Sequence, residues 1–131
     1  MLFRSGALLV VADISPDKCR RASEEFDAMI VSLDDIYSQD VDVFAPCALG
    51  AILNEQSIGR LKAKVVAGGA NNQLAENADG RRLAEAGILY APDYVINGGG
   101  IINVACEYFG GSDDAEVMRQ VAAIGDRKSV V

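Results

Sequence analysis

The chain has 131 residues, half of them apolar, which is enough for one domain with a buried core and too few for two. Its formal net charge is -7 and its Lys and Arg residues form no cluster, which argues against nucleic acids and anionic membranes as general partners. The sequence has no His, no Cys-x-x-Cys and no run of about 18 apolar residues, so His-dependent catalysis, a structural zinc site and a membrane span are not expected. Three separated cysteines are typical of a reducing cytoplasm.

Short apolar runs alternate with helical patterns along the chain. The apolar runs predict five strands, at residues 6–12, 28–31, 41–45, 64–68 and 88–91. Helices are predicted after Ser15, at residues 54–61, 71–86 and 101–109, and after Ser112. This alternation predicts an α/β domain with one doubly wound, mostly parallel sheet, in which ligands bind outside the carboxyl ends of the strands.

Asp13 directly follows the first predicted strand. A carboxylate in this place can accept hydrogen bonds from both hydroxyls of an adenosine ribose, and it would repel the additional phosphate of NADP. The alternative is a turn residue before the helix cap, and position alone favours neither interpretation. Lys18, Arg20 and Arg21 are close in sequence, so the preference between NAD and NADP stays open.

A loop with small residues, FAPCALGAIL, follows the third predicted strand. Small side chains between Pro46 and Gly50 would let a flat ligand lie against the backbone. Cys47 is interpreted as a packing residue rather than a nucleophile, because the chain has no His to activate its thiol.

Two glycines and two asparagines follow the fourth predicted strand, in AGGANNQLAE. A carboxamide offers a donor and an acceptor that do not titrate, which suits a nicotinamide carboxamide or a substrate carboxylate. A plain helix cap would need only one Asn. The pair Asn71 and Asn72, placed after Gly68 and Gly69, therefore favours a binding site at a helix start.

Three consecutive glycines, Gly98 to Gly100, separate the fifth predicted strand from a helix. Glycines at such a junction let a ligand approach the backbone, with helix N–H groups directed at a carboxylate or phosphate. Ile101 and Val104 share one face of the helix and would form a pocket for a branched aliphatic side chain. Periodicity alone favours the alternative, an ordinary buried helix start.

In this order, the motifs resemble the cofactor domain of the glutamate/leucine/phenylalanine/valine dehydrogenase family. The resemblance runs from about Gly6 to Gly125 through VVADIS, DVFAPCALGAILN, LKAKVVAGGANNQLAE and GILYAPDYVINGGGIINVA. It implies a Rossmann-like domain of a homo-oligomeric, NAD-dependent enzyme that deaminates branched-chain L-amino acids, leucine first, to 2-oxo acids and ammonia. The alternatives are phenylalanine or valine as the substrate, a hydroxy-acid dehydrogenase, or a nucleotide-binding module without catalysis.

The resemblance also implies roles for individual residues. Asp13 would hold the adenosine ribose, and Asn72 would lie where the nicotinamide meets the substrate. The implied cofactor contacts are Asp13, Ile14, Ala45, Pro46, Cys47, Ala48, Gly69, Asn71, Asn72 and Asn97. The implied substrate contacts are Asn72, Ile101 and Val104.

Two parts of the family pattern are expected to be missing. The catalytic Lys and Asp of the family belong to a separate amino-terminal domain, and its Gly-x-Gly-x-x-Gly loop should precede Asp13 by one strand and one helix. We therefore expect residues 1–131 to form a single, incomplete NAD-binding domain without its first strand, catalytic residues or metal ligands. Residues 1–5 and 126–131 match the translation of common sequencing adaptors and are expected to be non-native.

The isolated chain is predicted to be inactive and to unfold or aggregate. The strand before Asp13 would lack a neighbour on one side and leave an apolar edge unpaired. Size-exclusion chromatography and thermal unfolding of the purified chain check this prediction. A monomer with a cooperative unfolding transition would contradict it.

Overall fold

The computed structural model describes residues 6–109 and 113–123, so the predicted non-native ends lie outside the described residues. Its strands are Val10–Val11 (β1), Met29–Ile30 (β2), Val43–Phe44 (β3), Val65–Val66 (β4) and Leu89–Tyr90 (β5). Each strand lies within one of the five predicted apolar runs. The prediction of the strands is confirmed, although only two residues of each run form a regular ladder.

Six α-helices and one 3-10 helix connect or follow these strands in the described part of the chain. The α-helices are Pro16–Phe26 (α1), Glu55–Ile58 (α2), Asn77–Glu85 (α3), Asp93–Ile96 (α4), Gly98–Phe109 (α5) and Asp114–Ala122 (α6). The 3-10 helix is Asp35–Ser38. As predicted, Ser15 is the N-cap of α1, and Gly87 follows the end of α3 with a left-handed φ of 72°.

The strands of the described residues form two parallel sheets instead of the one predicted. In the first sheet, β1 pairs with β2, and Val10 lies opposite Met29. The second sheet has the order β3-β4-β5, with Val65 between Val43 and Leu89. The α/β class and the parallel pairing are therefore confirmed, whereas a continuous sheet is not present in the described part.

The hydrophobic core lies against the β3-β4-β5 sheet. Strands and the loop before α2 contribute Phe44, Val66 and Leu53, while α2 and α3 add Ile58 and Leu83. In contrast, both residues of β2 are exposed. The core thus fixes the second sheet and the loops that leave its carboxyl edge.

The helix predicted from Asn71 is wrong at its beginning, because α3 starts at Asn77. Asn72 has a left-handed backbone with φ of 52°, which cannot continue into a right-handed helix. The helix begins instead where the Asp79 carboxylate accepts a hydrogen bond from the Glu76 N–H at 2.9 Å. The loop after β4 is therefore longer than the sequence pattern predicts.

The glycine triplet was predicted as a junction before a helix at Ile101, and this prediction is also wrong. Gly98 to Gly100 form the first turn of α5, and α4 lies between β5 and the triplet. Pro92 directly precedes α4, where its fixed φ is compatible with a helix start. The carboxyl end of β5 thus leads into two successive helices.

Replacement of Leu83 by Ala tests the position of the core. Leu83 is fully buried, so the lost packing and the cavity left behind are expected to lower the free energy of unfolding by roughly 2–5 kcal/mol. Denaturant unfolding of the complete domain provides the measurement. Leu89→Ala on β5, where the side chain is 67% exposed, is the matched control and should cost less than about 1 kcal/mol. Equal losses in the two variants would contradict the assignment of the core.

Candidate functional site

Three loops leave the carboxyl ends of β3, β4 and β5 and meet at one edge of the sheet. Backbone hydrogen bonds continue past the strands, from the Ala67 N–H to the Phe44 carbonyl and from the Ala91 N–H to the Val66 carbonyl. A further bond joins the Ala70 N–H to the Pro46 carbonyl at 2.9 Å. The motifs that follow these strands in the sequence therefore lie side by side in the fold.

The closest approach between the first two loops is at Gly68. A Cβ atom on Gly68 would lie 2.2 Å from the carbonyl oxygen of Pro46, so no side chain fits there. At Gly69 the nearest atom to an added Cβ is the Cys47 sulfur, at 4.0 Å. Gly68 is thus required by the packing of one loop on the other, whereas Gly69 leaves its surface open.

The same two loops pair with each other further along the chain. The Ala51 N–H donates to the Asn72 carbonyl at 2.7 Å, and Leu53 and Leu74 form a parallel bridge. Ala51 and Asn72 both have positive φ, of 59° and 52°. A left-handed backbone costs about 1–2 kcal/mol for most residues and less for Asn, so these contacts must hold the conformation in place.

The third of these loops, which contains α4, holds the loop after β4 from the other side. The Asn97 side-chain amide donates to the carbonyls of Gly69 and Ala70, at 2.8 and 3.2 Å. One oxygen of Asp93 accepts a hydrogen bond from the Asn72 N–H at 2.7 Å, and the other accepts one from the Tyr90 hydroxyl at 3.2 Å. Burial, and then the Asp93 carboxylate, raise the pKa of Tyr90. At physiological pH this tyrosine therefore stays protonated and acts as a donor.

Gln73 is a residue of this edge that the sequence analysis missed. Its side chain is fully buried, and its amide nitrogen donates to the carbonyls of Gly68 and Ala70 at 2.8 Å each. Its side-chain oxygen has no hydrogen-bond partner among the described residues. The sequence carries no local signal for this role, because the Gln73 contacts are to backbone atoms of a loop whose path is set by long-range packing.

Asp13 lies after β1 and is exposed. One of its carboxylate oxygens accepts a hydrogen bond from the Ser15 N–H at 2.8 Å, as expected of a turn residue before a helix. No hydrogen bond joins the other oxygen to the described residues. Ile14 beside it is 86% exposed. Within the described residues, no hydrogen bond connects Asp13 or Ile14 to the three loops.

One face of α5, from its first turn to its last, forms the wall of an open apolar groove of about 370 Å³, lined by Gly100, Ile101, Val104, Ala105 and Tyr108. Ile101 is 76% exposed and Val104 is 62% exposed, so the interpretation as an ordinary buried helix start is wrong. A Cβ atom on Gly100 would meet no described atom within 4 Å. Packing within the described residues therefore does not require this glycine, and the groove has room beside the backbone.

Metal-binding clusters and membrane-spanning helices are both absent from residues 6–109 and 113–123. Among them, no three His, Cys, Asp or Glu side chains are grouped so that they could hold a metal ion. No helix in this part of the chain combines the length and the apolar character needed to cross a membrane.

Residues 11–123 match the family model described as glutamate/leucine/phenylalanine/valine dehydrogenase. The chain is 58% identical to leucine dehydrogenase of Bacillus subtilis (strain 168) over 109 residues, which are 83% of this chain and 30% of that protein. It is 53% identical to leucine dehydrogenase of Thermoactinomyces intermedius over 126 residues, which are 96% of this chain and 34% of that protein.

Among solved structures, L-tryptophan dehydrogenase from Nostoc punctiforme is similar to the chain with a TM-score of 0.90 and 47% sequence identity. This match covers 95% of the chain and 37% of that structure's chain. The chain thus spans about a third of the length of the curated relatives that it matches.

Gly68→Ala tests the packing of the first loop on the second. The added methyl group would overlap backbone atoms of Pro46, which cannot rotate away, so we expect a loss of roughly 1–3 kcal/mol in the free energy of unfolding. Gly69→Ala is the matched control, with an expected change below about 1 kcal/mol. Denaturant unfolding of the complete domain measures both. Losses of equal size would show that the two loops do not approach each other as described.

Proposed function

This chain belongs to the glutamate/leucine/phenylalanine/valine dehydrogenase family, and from that membership we propose that it is the NAD-binding part of an amino-acid dehydrogenase. The proposed reaction is the oxidative deamination of branched-chain L-amino acids to 2-oxo acids and ammonia. The observation that carries the proposal is the meeting of the three loops, because it brings Ala45–Ala48, Gly69–Asn72 and Asn97 to one edge of the sheet.

Residues of this edge, together with Asp13 and Ile14 after β1 in the other sheet, are proposed to bind the dinucleotide. Gly69 and Gly100 leave their surfaces open, so a flat ring can approach the backbone at either position. In this proposal the second oxygen of the Asp13 carboxylate accepts a hydrogen bond from a ribose hydroxyl, and the charge of the carboxylate disfavours NADP. Ile14, Pro46 and Cys47 complete the proposed cofactor contacts. When bound, NAD supplies the hydride acceptor of the reaction.

In this proposal, the residues of this chain bind the cofactor and the substrate and orient them. The Asn72 carboxamide offers a donor and an acceptor, and its backbone is held by hydrogen bonds to Ala51 and Asp93. Ile101 and Val104 present an apolar surface that contacts the substrate side chain and excludes water from it. We assign no catalytic acid or base to the described residues.

L-Leucine is the proposed preferred substrate, because the relatives with 58% and 53% identity are both leucine dehydrogenases. Phenylalanine and valine are the alternatives within the family. A nucleotide-binding module without catalysis is the alternative outside it. We also propose that the parent protein is a cytoplasmic homo-oligomer, with free cysteines at Cys19, Cys47 and Cys106 as the support for its compartment.

The division into two sheets supports a proposal about the architecture of the complete domain. In the doubly wound order 3-2-1-4-5-6, the first strand lies between the second and the fourth. By their place in the chain, β1 and β3 correspond to those two neighbours, and each pairs on one side only within the described residues. We propose that a further strand of the parent, with its Gly-rich loop, lies between them. Residues 1–5 and 126–131 are proposed to be foreign to that protein.

Steady-state kinetics of the full-length protein that carries this segment test the proposed function. We expect NADH formation with L-leucine and L-valine, a lower kcat/KM with L-phenylalanine, and little activity with NADP. Asp13→Ala is expected to raise the KM for NAD about tenfold, equivalent to about 1.4 kcal/mol, because one ribose contact is lost. Asp40→Ala, which removes an exposed carboxylate from another loop, is the control and should leave the KM unchanged.

Two outcomes would contradict this proposal. NAD binding by calorimetry without turnover of any amino acid would favour the module without catalysis. Equal KM values for NAD in Asp13→Ala and in the unmodified protein would remove Asp13 from the cofactor site.

A further inference from the structure

The short helix α4 holds the loop after β4 at two points. Asp93, the first residue of α4, accepts the Asn72 N–H through its carboxylate at 2.7 Å. Asn97, directly after α4, donates to the Gly69 carbonyl at 2.8 Å. An acceptor at one end of the helix and a donor at the other thus fix both a backbone N–H and a backbone carbonyl of the same short segment.

The Asp93 carboxylate is itself fixed to the sheet. Its second oxygen accepts the hydroxyl of Tyr90, a residue of β5 that pairs directly with Val66 of β4. A carboxylate that accepts a backbone N–H at 2.7 Å forms a charge-assisted hydrogen bond, which is stronger than a bond between neutral groups. The carboxylate therefore connects the end of β5 to the loop after β4 through two directed contacts.

Asn72 needs such a contact because its backbone is left-handed, with φ of 52°. Asn tolerates this conformation better than most residues, but the loop can also relax to the commoner right-handed conformation. That relaxation would turn the side chain away from its present direction. The Ala51 N–H donates to the Asn72 carbonyl, and the Asp93 carboxylate accepts from the Asn72 N–H. Each contact therefore limits the rotation of one of the two peptide groups that flank the Asn72 Cα.

We propose that Asp93 is a positioning residue of the reaction, and that it acts by holding Asn72 in its left-handed conformation. The inference rests on the proposed function, which places the Asn72 carboxamide between the nicotinamide and the substrate. Asp93 itself contacts neither of them in this proposal. Its loss should impair the chemical step and the binding of the amino acid, and it should leave the adenosine end of the cofactor site intact.

The experiment compares four variants of the full-length protein that carries this segment. Asp93→Ala removes both contacts, and Asp93→Asn keeps an oxygen that can accept the Asn72 N–H. Tyr90→Phe removes only the contact to β5, and Asp40→Ala is the control for loss of an exposed carboxylate. Thermal midpoints are recorded for all four, so that a loss of folding is separated from a loss of activity.

We expect Asp93→Ala to lower kcat with L-leucine by about tenfold or more, because small displacements of an orienting group have large effects on rate. The KM for NAD should stay within about threefold, since Asp13 is untouched. Asp93→Asn should recover most of the rate, and Tyr90→Phe should retain most of it. A kcat of Asp93→Ala within twofold of the unmodified protein, or no recovery in Asp93→Asn, would overturn the inference.

A second measurement keeps the inference separate from the proposed function. Hydrogen exchange of the Asn72 amide reports directly on its bond to Asp93, and it requires no activity. Faster exchange at Asn72 in Asp93→Ala than in Asp40→Ala is expected, and equal exchange would overturn the inference. If the unmodified protein oxidised none of the amino acids, the proposed function would fail, while the exchange result would still decide whether Asp93 holds Asn72.

Discussion

The backbone of Gly68 lies so close to the backbone of Pro46 that the space between them admits no side chain. This approach sets the distance between the loops after β3 and β4. At that distance the Ala70 N–H reaches the Pro46 carbonyl, and the Ala51 N–H reaches the Asn72 carbonyl. The remaining contacts of the site, including those from α4, are made to a loop that is already held in this position.

Polar side chains hold the backbone of this edge through hydrogen bonds, although each strand has only two residues in regular pairing. Gln73 is buried and connects the carbonyls of Gly68 and Ala70 from inside the loop. Asn97 reaches the Gly69 and Ala70 carbonyls from outside. A backbone segment whose N–H and carbonyl groups are satisfied on both sides has few alternative conformations, which suits a surface that must orient a ligand.

The strands could be predicted from the sequence because each lies in a short apolar run bounded by turn residues, a pattern that depends only on neighbouring residues. The cap at Ser15 and the end of α3 shortly before Gly87 were also predicted, since both depend on residues adjacent to the helix. The prediction from sequence failed where the deciding contact is to a residue distant in the chain. Asn72 looks like a helix start, yet its N–H is bonded to Asp93, 21 residues away.

The glycine triplet shows the same limit for a different reason. Three glycines have low helix propensity, so the local pattern favours a loop, but Gly98 to Gly100 form the first turn of α5. Periodicity alone favours burial of Ile101 and Val104, yet both side chains are exposed and line an open groove. The residues of the proposed substrate site are thus those for which periodicity alone is least informative.

The edge where the three loops meet contains several main-chain hydrogen bonds between loops, including those near the parallel bridge of Leu53 and Leu74, whereas the groove on α5 is lined by side chains. Main-chain hydrogen bonds persist through most substitutions, whereas a single substitution replaces a side chain. Under the proposed function, a change of substrate therefore requires substitutions along α5. The loops that are proposed to bind the nucleotide can stay unchanged. This separation of the two tasks gives a physical reason why relatives named for leucine and for tryptophan are about half identical to this chain over the roughly one third of their length that it covers.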